Sequence, residues 1–246
     1  MSVQLVIPAL TFHTIDGTIS TLDTERYARR AAATWADLFI LSGTTTNGHT
    51  ATTAERAATI DIWTAVINPE RITACCWSPA DVAEAERRGI TPMVVLRDLH
   101  TLDQARRFLA ALPNTSYVFS HPEFSGHTLS PELARVATAN GCLPRGAKVS
   151  KVSPEDLATL RVATGPTFTL WDGTARHIAT SLTAGANGIV AAPLSHIPEP
   201  FPARDVPALQ DAIDQTQTVL DRLPNRAART DALIDRARRG MTTRSA

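Results

Sequence analysis

Eight short apolar runs, rich in β-branched residues, recur along the chain. They are VQLVIPAL from Val3, DLFILSG from Asp37, RITACCW from Arg71, TPMVVLR from Thr91, SYVFSH from Ser116, LPRGAKV from Leu143, TFTLWDG from Thr167 and NGIVAAP from Asn187. Their hydrophobicity is continuous rather than alternating, as expected of strands covered on both faces in a parallel sheet. Amphipathic stretches with clear boundary signals lie between them. Ser78-Pro79, Ser130-Pro131 and Ser153-Pro154 each put a serine at an N-cap and a proline in the first helical turn. Asp81, Glu132, Glu155 and Asp156 follow, where the helix dipole favours acids. Gly89, Gly141 and Gly185 stand where helices should end. Eight strand–helix units in order predict a closed (β/α)8 TIM barrel, with a doubly wound open sheet as the alternative. No G-x-G-x-x-G follows the first strand, so the usual dinucleotide fingerprint is missing. After the eighth run, PLSHIPEPFP leads to two further helical stretches, roughly Asp205 to Arg222 and Asn225 to Arg239. The expected organisation is a barrel over residues 1–204 and a short C-terminal helical extension over 205–246 packed on it, forming a single domain.

Composition narrows the function. Lys+Arg and Asp+Glu both number 24, so the formal net charge is +0, and no basic excess points to nucleic acid or an anionic membrane. The start MSVQLVIPAL has neither the cationic flank nor the apolar length of a signal peptide. No apolar stretch reaches the roughly 18 residues that a membrane span needs. The three cysteines, Cys75, Cys76 and Cys142, include an adjacent pair and no C-x-x-C spacing. The expectation is a reduced, cytoplasmic protein without a metal site or cofactor. Only two lysines occur, Lys148 and Lys151. Arginine stays protonated at any working pH, whereas a lysine amine can lose its proton and attack a carbonyl, so a spared lysine draws interest. Chance and codon bias account for the count equally well.

In a barrel of this kind the chemistry sits at the C-terminal strand ends. Those ends offer Thr11 and His13, the Gly43–Asn47 turn, Arg97 and Asp98, Phe119 to His121, Lys148, Asp172 and Gly173, and Ala191 and Ala192. An amine at the mouth among apolar neighbours should have a lowered pKa, as imine formation requires. A snorkelling or ion-paired lysine is the plainer account. The Gly43-Thr44-Thr45-Thr46-Asn47-Gly48 turn has N–H groups and hydroxyls that suit a carboxylate, although an ordinary loop reads the same.

Five segments, in order from about residue 7 to 193, resemble the dihydrodipicolinate synthase and N-acetylneuraminate lyase family of class I aldolases. LTFHTIDGTI resembles the family's opening loop. SGTTTNGHTATTAERAATI resembles its G-T-T-G-E turn and following helix. FSHPEFSGHTLSPELARVA resembles its Y-N-x-P-x-x-T-G stretch, GAKVS its G-x-K-x-S, and WDGTARHIATSLTAGANGIVAA the region of its last two strands. The resemblance implies that Lys148 forms an imine with the substrate and that Thr44 and Thr45 bind the carboxylate of pyruvate or another 2-oxo acid. Gly173 and Ala192 would line the same pocket.

The departures are specific. Phe119 stands where the family has its proton-shuttling tyrosine, Phe124 where an arginine often recognises a substrate carboxylate, and Asn47 where the turn has glutamate. The segment after strand four reads VLRDLH, without a tyrosine pair, and most of the family's C-terminal helical domain is missing. Tyr117, one layer deeper than Phe119, is a candidate acid/base or a core tyrosine; His13, His100 and His121 are candidates or surface loop residues. Arg97 could clamp a carboxylate or simply pair with Asp98 or Glu123. The expectation is a Schiff-base carbon–carbon lyase acting on a small 2-oxo acid, with an aldehyde as a further substrate, and not a standard dihydrodipicolinate synthase. Homo-oligomers are compatible with it. The alternatives are a ligand-binding barrel that has lost catalysis and a Schiff-base hydratase or decarboxylase.

Overall fold

The fold is that of a computed structural model, which describes residues 3–242. Eight parallel strands close into a barrel in sequence order: β1 (Gln4–Pro8), β2 (Leu38–Leu41), β3 (Ile72–Cys76), β4 (Thr91–Val95), β5 (Tyr117–Ser120), β6 (Gly146–Val149), β7 (Thr169–Asp172) and β8 (Gly188–Val190). Pairing of Leu5 with Ile189 closes the ring, which excludes the open doubly wound sheet. Each predicted strand is present.

Around the barrel run α1 (Thr21–Ala32), α2 (Thr53–Thr64), α3 (Pro79–Arg87), α4 (Leu102–Ala110), the single turn α5 (Pro122–Ser125), α6 (Pro131–Ala139), α7 (Pro154–Thr164) and α8 (Ile178–Thr183). Ser78, Ser130 and Ser153 cap α3, α6 and α7, each accepting from a backbone N–H three residues on. Gly89, Gly141 and Gly185 take φ of 69°, 65° and 97°, the left-handed conformation that ends a helix. Side chains alternate along each strand. Leu5, Ile7, Phe39, Leu41, Val118 and Leu170 therefore pack outward under the helices, while Val6, Ile40, Cys75, Val95, Phe119 and Trp171 fill the interior. Each such burial contributes roughly 1.5–3 kcal/mol before entropy is counted.

Two helices follow the barrel, α9 (Val206–Leu220) and α10 (Arg226–Thr242). α10 runs over the strand ends. Arg226 pairs with Glu123 beyond β5, Thr230 donates to the Thr45 carbonyl beyond β2, and Arg238 donates to the His13 carbonyl beyond β1. Among the described residues, no helix is long and apolar enough to cross a membrane.

Candidate active site

Lys148 points into the barrel from β6. In register beside it stand Phe119 on β5 and Trp171 on β7. The lysine is 8% exposed. Its Nζ lies over the Phe119 ring, 4.2 Å from the centroid. Among the described residues no carboxylate pairs with it, so the ion-paired lysine is not what is found. Burial pushes its pKa down to about 8, and the positive charge of Arg226 adds to the fall. A neutral amine fraction is therefore present near neutral pH, as a nucleophile needs.

Gly173 sits directly against this lysine. A Cβ there would come 3.1 Å from Lys148 Cε, 2.3 Å from Ser150 Oγ and 2.9 Å from the Val149 carbonyl oxygen. A side chain there would force Ser150 or the Val149 carbonyl to shift and would crowd the amine's stem. Gly173→Ala is expected to fold, with a stability loss of about 1–3 kcal/mol, yet to lose most of its capacity for a borohydride-trapped adduct at Lys148. Intact-mass measurement after reduction checks this; an undiminished adduct would mean that the lysine tolerates the shift.

The Thr44–Thr46 segment forms a 3-10 turn that ends at Asn47 in a left-handed conformation, φ 54°. Thr46 is committed, its hydroxyl accepting from the Thr11 N–H. The Thr44 and Thr45 hydroxyls have no hydrogen-bond partner among the described residues. The turn is held from behind by a buried ion pair, Arg56 Nε to Asp81 Oδ1 at 3.0 Å. Arg56 Nη1 also donates to the Gly48 and Ala51 carbonyls, and Trp77 Nε1 donates to the Ser42 carbonyl. A charged hydrogen bond is worth roughly 1.5–3 kcal/mol, about ten- to a hundredfold in affinity. Thr45→Val is accordingly expected to weaken pyruvate binding by that factor with unchanged folding. Unchanged half-saturation in trapping would place the carboxylate elsewhere.

The remaining sequence candidates divide by place. His121 caps α5, its Nδ1 accepting from the Glu123 N–H, so its proton resides on Nε2. Burial pushes its pKa down to about 4, with Lys151, Lys148 and Arg226 also opposing protonation and Glu123 favouring it, which leaves a neutral ring. Tyr117 lies a layer below Phe119, its ring tilted against Trp171 at 4.6 Å between centroids, with the Arg145 guanidinium 5.5 Å from its centroid. Burial raises its phenol pKa. Arg97 is half exposed, paired with Asp98 at 2.9 Å, and lines a groove between α3 and α4 with Trp77, Val94 and Phe108. Ala192, partly exposed, starts the 3-10 turn after β8. Asp172 turns outward, holding Ser181 and Thr174. His13 and His100 are exposed. Among the described residues no group of three or more His, Cys, Asp or Glu could hold a metal ion.

Several residues at the mouth were not singled out in the sequence. Trp171 was recoverable from strand parity, because it aligns with Lys148. His49, Trp77, Arg226 and Thr230 carry no local signal. The rings of His49, Trp77, His121 and Phe124 form an aromatic rim joined to Phe119: Trp77–Phe124 at 5.7 Å, His121–Phe124 at 5.3 Å and Phe119–Phe124 at 6.4 Å.

No protein family model matches this sequence, and no curated protein does. Solved structures share the fold. The 2-keto-3-deoxygluconate aldolase of Picrophilus torridus is 15% identical, with a TM-score of 0.79 over 97% of this chain and 94% of that one. Dihydrodipicolinate synthase from Agrobacterium tumefaciens is 19% identical, with a TM-score of 0.77 over 98% and 89%. A Sulfolobus solfataricus 2-keto-3-deoxygluconate aldolase variant, carrying two tyrosine-to-phenylalanine changes and in complex with L-2-keto-3-deoxygalactonate, is 15% identical, with a TM-score of 0.71 over 98% and 96%.

Proposed function

We propose that this chain is a Schiff-base-forming carbon–carbon lyase of the class I aldolase type, acting on a small 2-oxo acid through Lys148. One observation carries the reading: an amine buried at the barrel mouth, unpaired by any carboxylate among the described residues and with its pKa lowered to about 8. The fold is also one that aldolases use. In the proposed reaction the neutral amine attacks the 2-oxo carbon. The carbinolamine then loses water to give an iminium. That cation withdraws electrons from the adjacent carbon, so a C–H or C–C bond there can break or form. Thr44 and Thr45 bind the carboxylate through their hydroxyls. The Phe119 face, 4.2 Å from Nζ, stabilises the cation electrostatically but supplies no proton. Protons therefore pass through substrate groups or water, and standard dihydrodipicolinate synthesis, which needs a relaying hydroxyl at that place, is not the reaction.

Phe119 also favours a second reading, a barrel that captures 2-oxo acids without turning them over. A variant aldolase of this fold, with two tyrosines and one alanine changed to phenylalanine, is seen in complex with a 2-keto acid. The two readings diverge in solvent exchange of the pyruvate methyl protons, which needs deprotonation of the iminium.

The test is reduction with borohydride in the presence of pyruvate, read by intact mass and peptide mapping. One adduct on the peptide containing Lys148 is expected. Its rate of formation should rise with pH through about 8, because the ammonium form, dominant below that pKa, cannot attack. No adduct, or labelling at Lys151 instead, sinks the proposal.

A further inference from the structure

Arg226 reaches the active-site rim from α10, far along the sequence from any strand end. Its guanidinium lies over the Phe124 ring, 5.2 Å from the centroid. Phe124 in turn stands 6.4 Å from Phe119, the ring against whose face the Lys148 amine lies. Glu123 Oε2 fixes the guanidinium at 2.8 Å through Nη2 alone, so donors remain on the planar fork. Glu123 Oε1 is taken by Lys151 Nζ at 2.6 Å. One carboxylate thus serves two cations, and the rim keeps a positive surplus above Lys148. Between the amine and the guanidinium the wall is aromatic, formed by Phe119 and Phe124 with His121 beside them. Such a wall suits an apolar spacer. At its far end the Arg226 side chain is 39% exposed, open to an incoming carboxylate.

We propose that Arg226 is a second anion clamp, selecting 2-oxo acids that carry another carboxylate beyond a short apolar spacer. The first carboxylate lies on Thr44 and Thr45, the 2-oxo carbon on Lys148, the spacer along Phe119 and Phe124, and the distal carboxylate on the free edge of the Arg226 fork. This rests on the Schiff-base reading and deepens it to a substrate class. The same guanidinium depresses the pKa of the Lys148 amine, in keeping with its place in the site.

The test compares half-saturation of borohydride trapping for pyruvate, 2-oxoglutarate and 2-oxohexanoate, the last having the same reach without the second charge. In the native protein 2-oxoglutarate is expected to saturate at a concentration about ten- to a hundredfold lower than 2-oxohexanoate, the factor of one charged hydrogen-bonded contact. In Arg226→Gln that preference, read as the ratio of the two half-saturations so that any change in Lys148 reactivity cancels, is expected to vanish, and an unchanged thermal-unfolding midpoint shows that the variant is folded. Lys151→Gln, which removes the other cation on Glu123, should keep the preference. Normal pyruvate trapping without a preference for the dicarboxylate in the native protein overturns the clamp. A preference that survives Arg226→Gln, or falls equally in Lys151→Gln, also overturns it. Absence of a pyruvate adduct in the native protein overturns the Schiff-base reading, and the clamp with it.

Discussion

Lys148→Arg is expected to abolish adduct formation with every 2-oxo acid and to cut solvent exchange of pyruvate methyl protons by more than about 10³-fold. The substitution preserves positive charge and most of the stem length, so it isolates nucleophilicity. A guanidinium stays protonated across the working range and forms no imine. The amine of Lys148, lowered to about pKa 8 by burial, is in reach of the neutral form. Lys151, the only other lysine, is exposed and paired with Glu123, so it cannot substitute. Proton exchange read by NMR needs no knowledge of the aldehyde partner. Exchange or trapping that persists in Lys148→Arg would place the covalent chemistry on another group.

Asp81→Ala is expected to cost about 3–5 kcal/mol, the loss that follows when one partner of a buried ion pair is removed and the other stays buried. Arg56 and Asp81 are 8% and 4% exposed. Asp81 also accepts from the Trp77 and Ser78 N–H groups. Burial alone would raise its pKa, but the Arg56 contact, a Thr53 hydrogen bond and the Trp77 N–H outweigh it, and the carboxyl is lowered. With the folded pKa below the unfolded one, this stabilisation is present above about pH 4, the ordinary carboxylate range, and is lost as pH falls through the folded value. Urea unfolding of both proteins at pH 7 and at progressively lower pH measures it: the gap should be widest at neutrality and narrow in acid. Because Arg56 also holds the Gly48 and Ala51 carbonyls, pyruvate affinity should fall too. A stability change under about 1 kcal/mol, within the range of an ordinary exposed pair, would show that the pair is solvated.

The sequence by itself determined eight strand–helix units around a parallel sheet, while the pairing of Leu5 with Ile189 decided that the sheet closes into a barrel. Eight continuous apolar runs could satisfy their backbone groups and cover both faces only in a parallel sheet wrapped by helices, and Ser-Pro starts with glycine ends fixed where those helices begin and stop. It also drew attention to Lys148 as one of only two lysines, since a lysine amine can shed its proton and arginine cannot, although the count by itself reads equally as chance. Strand parity also puts Trp171 and Lys148 in one layer, because neighbouring parallel strands in register point the same way. The tertiary structure alone decided what surrounds the amine. Arg226, Thr230, Trp77 and His49 lie on α10 or in loops whose local pattern is that of ordinary exposed residues. They reach the mouth because α10 folds back over the strand ends, held by Glu123, Thr45 and the His13 carbonyl. Contacts between segments a hundred or more residues apart leave no periodicity in the chain, since loop closure depends on the packing of the whole barrel and not on neighbouring residues. The same holds for the depth of Lys148: its lowered pKa follows from burial, which the closed ring and its aromatic rim impose together.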